Sequence, residues 1–502
     1  MRQALHIFRK DVRFTWPAIL VALAMTVLFA WSRCVSPSTF AKGNADADSL
    51  PRTISVFLIL SWWYCIACIV YKEQPAGDRQ FWVTRPYSWK SLLAAKALSM
   101  AAFVNLPFLI SDMAILSAKG FSPARAAANL LGRQIAITAV FVLPAAALAA
   151  TTRYLAQIAF TAFAALVIVE FIVGGSGGFF GSWGGMAWIP GWTTAAILAG
   201  GMSGTLAGQY ARRRTPISRT ILAGTVGICF AMLLVKPFGP AIAVQSYFPA
   251  SSENLSGVRL SLEPDARREG QRQLWPREAA SSAHVPDSWL PPIRLDGLPP
   301  GAQAKLDLVK VRIQGRSGAA WRSDWVRSSA PLRDFDSIAW LQAWQGGESS
   351  DLYVTVGGRL LERFRAQPVA VSVSVAMTVY RTGTTTRMIP DGRAYPIAGL
   401  GVCSVRPAYG PGSPFLLCRS PESRSVQAGV NGWDAMEASY SPIPAVFAET
   451  PAPPFTVGLG YLRTPGVSEV SPIDVTTERS IAHLRRDLAI PWIPPGQDPS
   501  QQ

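Results

Sequence analysis

The chain has 502 residues, of which 49% are hydrophobic and only 16% charged, with a formal net charge of +16. That apolar content is too high for an ordinary soluble protein of this length. Residues 1–245 hold 21 Lys/Arg against 7 Asp/Glu, so most of the excess sits in the more apolar half. These basic residues fall in short loops between apolar runs, and the second half lacks a basic patch with interleaved aromatics. Both facts argue against nucleic acid as a partner and for a lipid bilayer.

In chain order, Gln3–Phe14 comes first and sets Leu5, Ile7, Phe8 and Val12 among basic residues. That is the pattern of a helix lying along a membrane surface. Seven runs then approach the roughly 20 apolar residues that a helix needs to cross the hydrocarbon. They are Trp16–Trp31, Ile54–Tyr71, Ala97–Ala118, Ile135–Ala150, Tyr154–Val173, Trp192–Tyr210 and Ile221–Val235. Trp and Tyr stand at many of the ends, as interfacial anchors do. Ser32-Arg33-Cys34 offers no small-x-small cleavage site, so the first run is expected to remain a span. With the N-terminus cytoplasmic, the inner segments carry 14 Lys/Arg and the outer loops, Arg133 among them, carry 7. The excess of inner charge sets that orientation, and an odd number of crossings then places everything after Lys236 outside.

Ionisable groups within spans are costly and often functional. Asp112, Glu170 and Lys236 lie near the outer ends of their spans, either on a substrate path or as packing ion pairs. Gly201-Met202-Ser203-Gly204 is superficially like an intramembrane serine-protease motif. A nucleophilic serine needs a base, and His6, His284 and His483 all lie outside the spans, so the small residues are expected to serve helix packing.

Past the spans, Glu263–Ala304 is rich in Pro, Arg and Ser and reads as linker. Val369, Val371, Val373, Val375, Met377 and Val379 alternate with small or polar residues, a strand signature. Weaker strand signals cover Lys305–Ile313, Leu352–Gly357, Gly399–Val405 and Phe455–Leu462, and Ser480–Leu488 reads as a short helix. Several short strands with Gly/Pro turns suggest a β-sandwich. Cys65, Cys68 and Cys229 fall within spans. Cys403 and Cys418 bracket a Gly/Pro-rich turn and either bridge in an oxidising compartment or remain two buried thiols. The fold class expected is therefore a polytopic α-helical membrane domain of about seven spans followed by a mostly-β, sandwich-like soluble domain. Its boundaries are a membrane domain at 1–245, a linker at 246–304, an extracytoplasmic domain at 305–490 and a tail at 491–502.

The chain carries no Walker loop, H-E-x-x-H or G-x-S-x-G, so neither catalysis nor a cofactor is expected of it. The loop Lys72–Lys96, KEQPAGDRQFWVTRPYSWKSLLAAK, is the most informative segment. Glu73, Gly77, the apolar pair Phe81-Trp82, Pro86, Ser88 and Lys96 follow one another, with offsets of 4, 9 and 10 along Glu73, Gly77, Pro86 and Lys96. In these residues the chain resembles the type-2 ABC exporter permeases. Asp78 and Arg85 depart from that pattern. The resemblance implies a coupling loop docked on a separate ATP-binding cassette ATPase subunit, which would hydrolyse the ATP. It also implies an interfacial N-terminal helix and a homo- or heterodimer in the cell (inner) membrane. The alternative is a non-transporting anchor that presents an extracytoplasmic binding or sensing domain. Independently of the resemblance, Phe81, Trp82 and Tyr87 among charges form an apolar patch that needs a partner or a membrane surface.

Overall fold

The computed structural model describes residues 2–35, 49–73, 88–158, 160–161, 188–235, 238–247, 255–262, 293–323, 325–327, 331–334, 337–343, 352–355, 368–389, 393–397, 401–406, 415–420, 426–430, 436–438, 455–461 and 473–493. Its first half is helical: α1 (Arg2–Val35), α2 (Ser49–Tyr71), α3 (Trp89–Ala118), α4 (Ala127–Thr151), α5 (Trp188–Ala207), α6 (Thr215–Val235) and α7 (Phe238–Ser246). Among the described residues, five stretches are long and apolar enough to cross a membrane: Arg2–Cys34, Thr53–Tyr71, Trp89–Ala118, Ala127–Thr151 and Thr215–Met232. α5 reaches span length, but Gly, Thr and Ser dilute its hydropathy. Most of the run Tyr154–Val173 lies outside the described residues.

α1 differs from the expected surface helix followed by a separate span. It is one continuous helix with Pro17 inside it. Ile7 and Asp11 are fully buried, so one face of its first turns packs against the bundle. α3 and α4 each contain a π turn, at Ala101–Asn105 and Thr138–Val142. The Leu106 N–H bonds back to the Ala101 carbonyl and the Leu143 N–H to the Thr138 carbonyl, five residues away in each case. Pro107 and Pro144 follow directly. Proline has no N–H and crowds the carbonyl four residues earlier, and a widened turn relieves that crowding. Gly201 of α5 lies under α6, where an added Cβ would fall 2.0 Å from Thr225 Oγ1. Close helix approach is thus what this glycine serves.

Contacts at the helix ends fix which ends share a face. Lys119 Nζ donates to the Cys34 carbonyl at 3.1 Å, joining the last turns of α1 and α3. At the opposite face, the Tyr71 and Thr152 hydroxyls are 2.7 Å apart, and Arg219 donates to the Thr151 carbonyl at 3.2 and 3.0 Å. That ties together the ends of α2 and α4 and the start of α6.

The described residues of the second half form three antiparallel sheets. One has the order β1 (Arg259–Leu262), β2 (Ile293–Asp296), β8 (Leu352–Thr355), β7 (Ser337–Ala343), β6 (Pro331–Asp334). Another runs β10 (Tyr395–Ile397), β11 (Gly401–Arg406), β12 (Phe415–Ser420), β15 (Phe455–Tyr461). The largest runs β14 (Met436–Ala438), β13 (Val426–Val430), β16 (Ile473–Ile493), β9 (Val369–Met388), β3 (Ala302–Gly315), β4 (Ala320–Arg322), with β5 (Val326–Arg327) also on β3. Val371, Val373, Val375 and Val379 of β9 are buried, and so are Ser374, Ala376, Thr378 and Tyr380 on its other face. Leu255, Val258, Val379, Ile481 and Ala482 form one core, and Ile189 of α5, Ala241 and Ile242 of α7, Leu308, Trp325 and Ala376 form another that joins helices to strands.

Two sequence expectations are corrected here. Ser480–Leu488 lies in β16 and not in a helix. Ile481, Leu484 and Leu488 have helical spacing, but pairing along the valine-rich β9 overrides that local signal. The segment 246–304, expected to be linker, supplies β1, β2 and the first residues of β3.

Candidate functional site: buried ion pairs at the two ends of α3

Lys96 sits in the second turn of α3 and is 1% exposed. Its Nζ donates to Asp11 Oδ2 of α1 at 2.7 Å and to the Ile69 carbonyl of α2 at 2.9 Å, and lies 2.9 Å from Glu73 Oε2. Lys10 Nζ donates to Glu73 Oε1 at 3.1 Å. Two cations and two anions thus alternate across three helices. Lys72 lies over the Phe14 ring at 4.1 Å, a second link between α1 and the end of α2. The π turn Gly208–Arg212 at the end of α5 packs against α3 and brings buried Gln209 and Tyr210 to this end of the bundle. Burial opposes ionisation of Glu73, but the charges and hydrogen bonds of Lys96 and Lys10 outweigh it and hold the carboxyl below the usual glutamate range. Two lysines facing two carboxylates make the cluster a charge-balanced clamp.

Of the sequence-derived loop residues, Glu73 and Lys96 are brought together here, and Ser88 caps α3 by accepting the Ser91 N–H at 3.1 Å. Glu73, the first residue of that spacing, faces Lys10 and Lys96 within the chain. Gly77, Phe81, Trp82 and Pro86 lie outside the described residues, as do Glu170 and Lys236.

Asp112, sixteen residues further along α3, is about 24 Å away at 1.5 Å per residue, near the far side of a hydrocarbon layer of about 30 Å. It is fully buried, and Arg133 Nη1 of α4 lies 2.5 Å from its Oδ1. The Arg133 guanidinium also stands over the Phe108 ring at 4.8 Å. Asp112 thus takes the ion-pair reading of the sequence. Arg133, expected in an outer loop, is 5% exposed inside α4. Nearer the bundle centre, Asn105 Nδ2 donates to Thr138 Oγ1 at 2.6 Å, linking the two π turns.

Asp11, Lys10 and Arg133 were missed as site residues, although a signal existed. Acids are scarce in residues 1–245, and among the described residues of that half Asp11, Glu73 and Asp112 are all buried in ion pairs. A lone acid in a basic, apolar stretch asks for a partner, but sequence cannot say which lysine or arginine supplies it.

In the β region, Cys403 and Cys418 occupy paired positions on β11 and β12 and are disulfide-bonded. Thr378 of β9 donates to Asp307 Oδ2 at 2.6 Å, and its Oγ1 lies 2.9 Å from His483 Nδ1. This row resembles a hydrolase triad only in composition, because the Thr378 hydroxyl is fully buried. No protein-family model, curated protein or solved structure matches the chain.

Proposed function

We propose that this chain is the transmembrane permease subunit of an ABC-type exporter, coupled to a separate ATP-binding cassette ATPase and working as a homo- or heterodimer in the cell membrane. The observation that carries the reading is the clamp at the ends of the segment 73–96. Glu73 and Lys96, the first and last residues of the permease-like spacing, are both bound to α1 through Lys10 and Asp11. A segment mounted in this way passes a push from a docked partner into α1, α2 and α3 together, because a buried ionic network resists separate movement of its members.

Seven crossings suit the helix ends. Thr151 lies at the clamp end and Ile189 at the end joined to the strands, and the apolar run Tyr154–Val173 of the sequence falls between them. The loop-charge asymmetry supports an extracytoplasmic β region, and its antiparallel sheets suit a sandwich.

Affinity purification of the unaltered chain from its native membrane should recover an ATPase subunit. Phe81→Ala/Trp82→Ala should release it, since apolar anchors commonly contribute about 2 kcal/mol or more each. An ATPase that stays bound to the well-inserted double variant removes the docking role from this loop. Recovery of the unaltered chain without an ATPase favours the anchor reading.

A further inference from the structure

Between the Asn105–Thr138 bond and the Asp112–Arg133 pair, α3 and α4 bury more polar atoms than they pair. Ser111 and Gln134 are 6% and 8% exposed, and neither the Ser111 hydroxyl nor either Gln134 amide atom has a hydrogen-bond partner among the described residues. Asp112 Oδ2 and Arg133 Nε likewise have no aligned hydrogen bond there. These groups are not scattered. Asn105, Phe108, Ser111 and Asp112 follow helical spacing on α3, and Arg133, Gln134 and Thr138 follow it on antiparallel α4. They make a seam about 10 Å long that runs from the end of α3 toward its middle.

The composition of the seam says what it suits. Asp112 and Arg133 cancel, so there is no net charge to select an ion. Donors remain on Ser111, Gln134 and Arg133, and acceptors on Gln134 and Asp112. An uncharged group that both donates and accepts, such as a hydroxyl or an amide, matches that set. The inner end of the seam is closed by Asn105 and Thr138, each in a π turn that stands before a Leu-Pro pair. Wide turns of this kind recur at functional sites and let a helix shift register locally.

We propose that α3 and α4 form a hydrated polar seam, entered from the membrane face opposite the N-terminus, that binds uncharged hydroxyl- or amide-bearing groups between Asp112–Arg133 and Asn105–Thr138. The inference does not depend on the permease reading, because it requires neither an ATPase nor transport.

Thiol labelling tests it. In a full-length background with Cys34, Cys65, Cys68 and Cys229 changed to alanine and Cys403–Cys418 kept, Ser111→Cys and Gln134→Cys are compared with Ile110→Cys and Ile135→Cys. Ile110 and Ile135 are 57% and 61% exposed on the bundle perimeter, where lipid lies. The proteins are held in lipid nanodiscs and treated with hydroxyethyl methanethiosulfonate, a neutral hydroxyl-bearing probe, or with its sulfonated anionic analogue. The seam thiols should react with the neutral probe at least about tenfold faster than the perimeter thiols, and faster than with the anionic probe. Equal rates at seam and perimeter positions overturn the proposal, and so does a preference for the anion. Because Gln134→Cys risks misfolding, the unaltered protein is also exposed to hydroxyl radicals generated in bulk water. Phe108, 3% exposed beside Arg133, should be oxidised. Protection of Phe108 while Tyr154 is oxidised overturns the seam without any substitution.

Discussion

At one end of α3, Lys96 touches two carboxylates and a backbone carbonyl while a second lysine completes the charge balance. At the other end, Asp112 has one cation, and polar neighbours around the pair are left unmatched. The same helix thus carries a four-charge network and a two-charge one about 24 Å apart, and unmatched buried oxygens lie at both, Asp11 Oδ1, Glu73 Oε2 and the Tyr210 hydroxyl at the first. Low dielectric strengthens both, but four linked charges resist separate movement of their members more than a single pair does. Removing one member of the first strands its remaining partners, while the second can be removed whole.

The largest expected effect distinguishes the ends directly. Lys96→Met leaves Asp11 and Glu73 buried with only Lys10, and breaking such a pairing costs about 3–5 kcal/mol. Thermal unfolding in detergent should show a strongly destabilised or unrecoverable protein. A variant within about 1 kcal/mol of the parent would mean that the clamp holds nothing together.

Arg133→Met should destabilise by a similar or slightly smaller amount, but here a second change should rescue. Asp112→Leu/Arg133→Met removes both charges, and replacing a whole buried pair with apolar groups is often neutral or stabilising. The corresponding Asp11→Leu/Lys96→Met should not recover, because Glu73 and Lys10 remain. Equal rescue at both ends, measured by the same unfolding assay, would erase the contrast.

A third test moves to the β region. Reducing Cys403–Cys418, whose sequence separation is 15, should cost about 3 kcal/mol. Peptide mapping without reductant should recover the linked pair. The helical half should unfold at an unchanged temperature, since both cysteines lie on strands away from the core shared with α5 and α7.

The smallest effect concerns pH. The Glu73 carboxyl is held below its ordinary value of 4.5. Its contribution is therefore complete above that value and is lost as pH falls through the lower, folded one. Acid titration of stability should fall less steeply below pH 4.5 in Glu73→Gln than in the parent, and identical slopes would show that Glu73 is not clamped.

The helical character of the first half and the strands of β3, β9 and β15 could be read from the sequence, because runs of about 20 apolar residues and period-2 alternation are imposed locally by solvent. The cost of a buried acid was also legible, which is why Asp112 stood out before any geometry was known. Tertiary structure decided the partners. Lys96 is a loop-closing lysine in sequence but the centre of a four-charge cluster in space, and Arg133 left an assigned outer loop for the interior. It also made a strand of Ser480–Leu488, whose helical spacing was outweighed by pairing with β9, and merged a surface helix with a span in α1. In each case the deciding energy came from residues tens or hundreds of positions away, where neither periodicity nor local charge carries information.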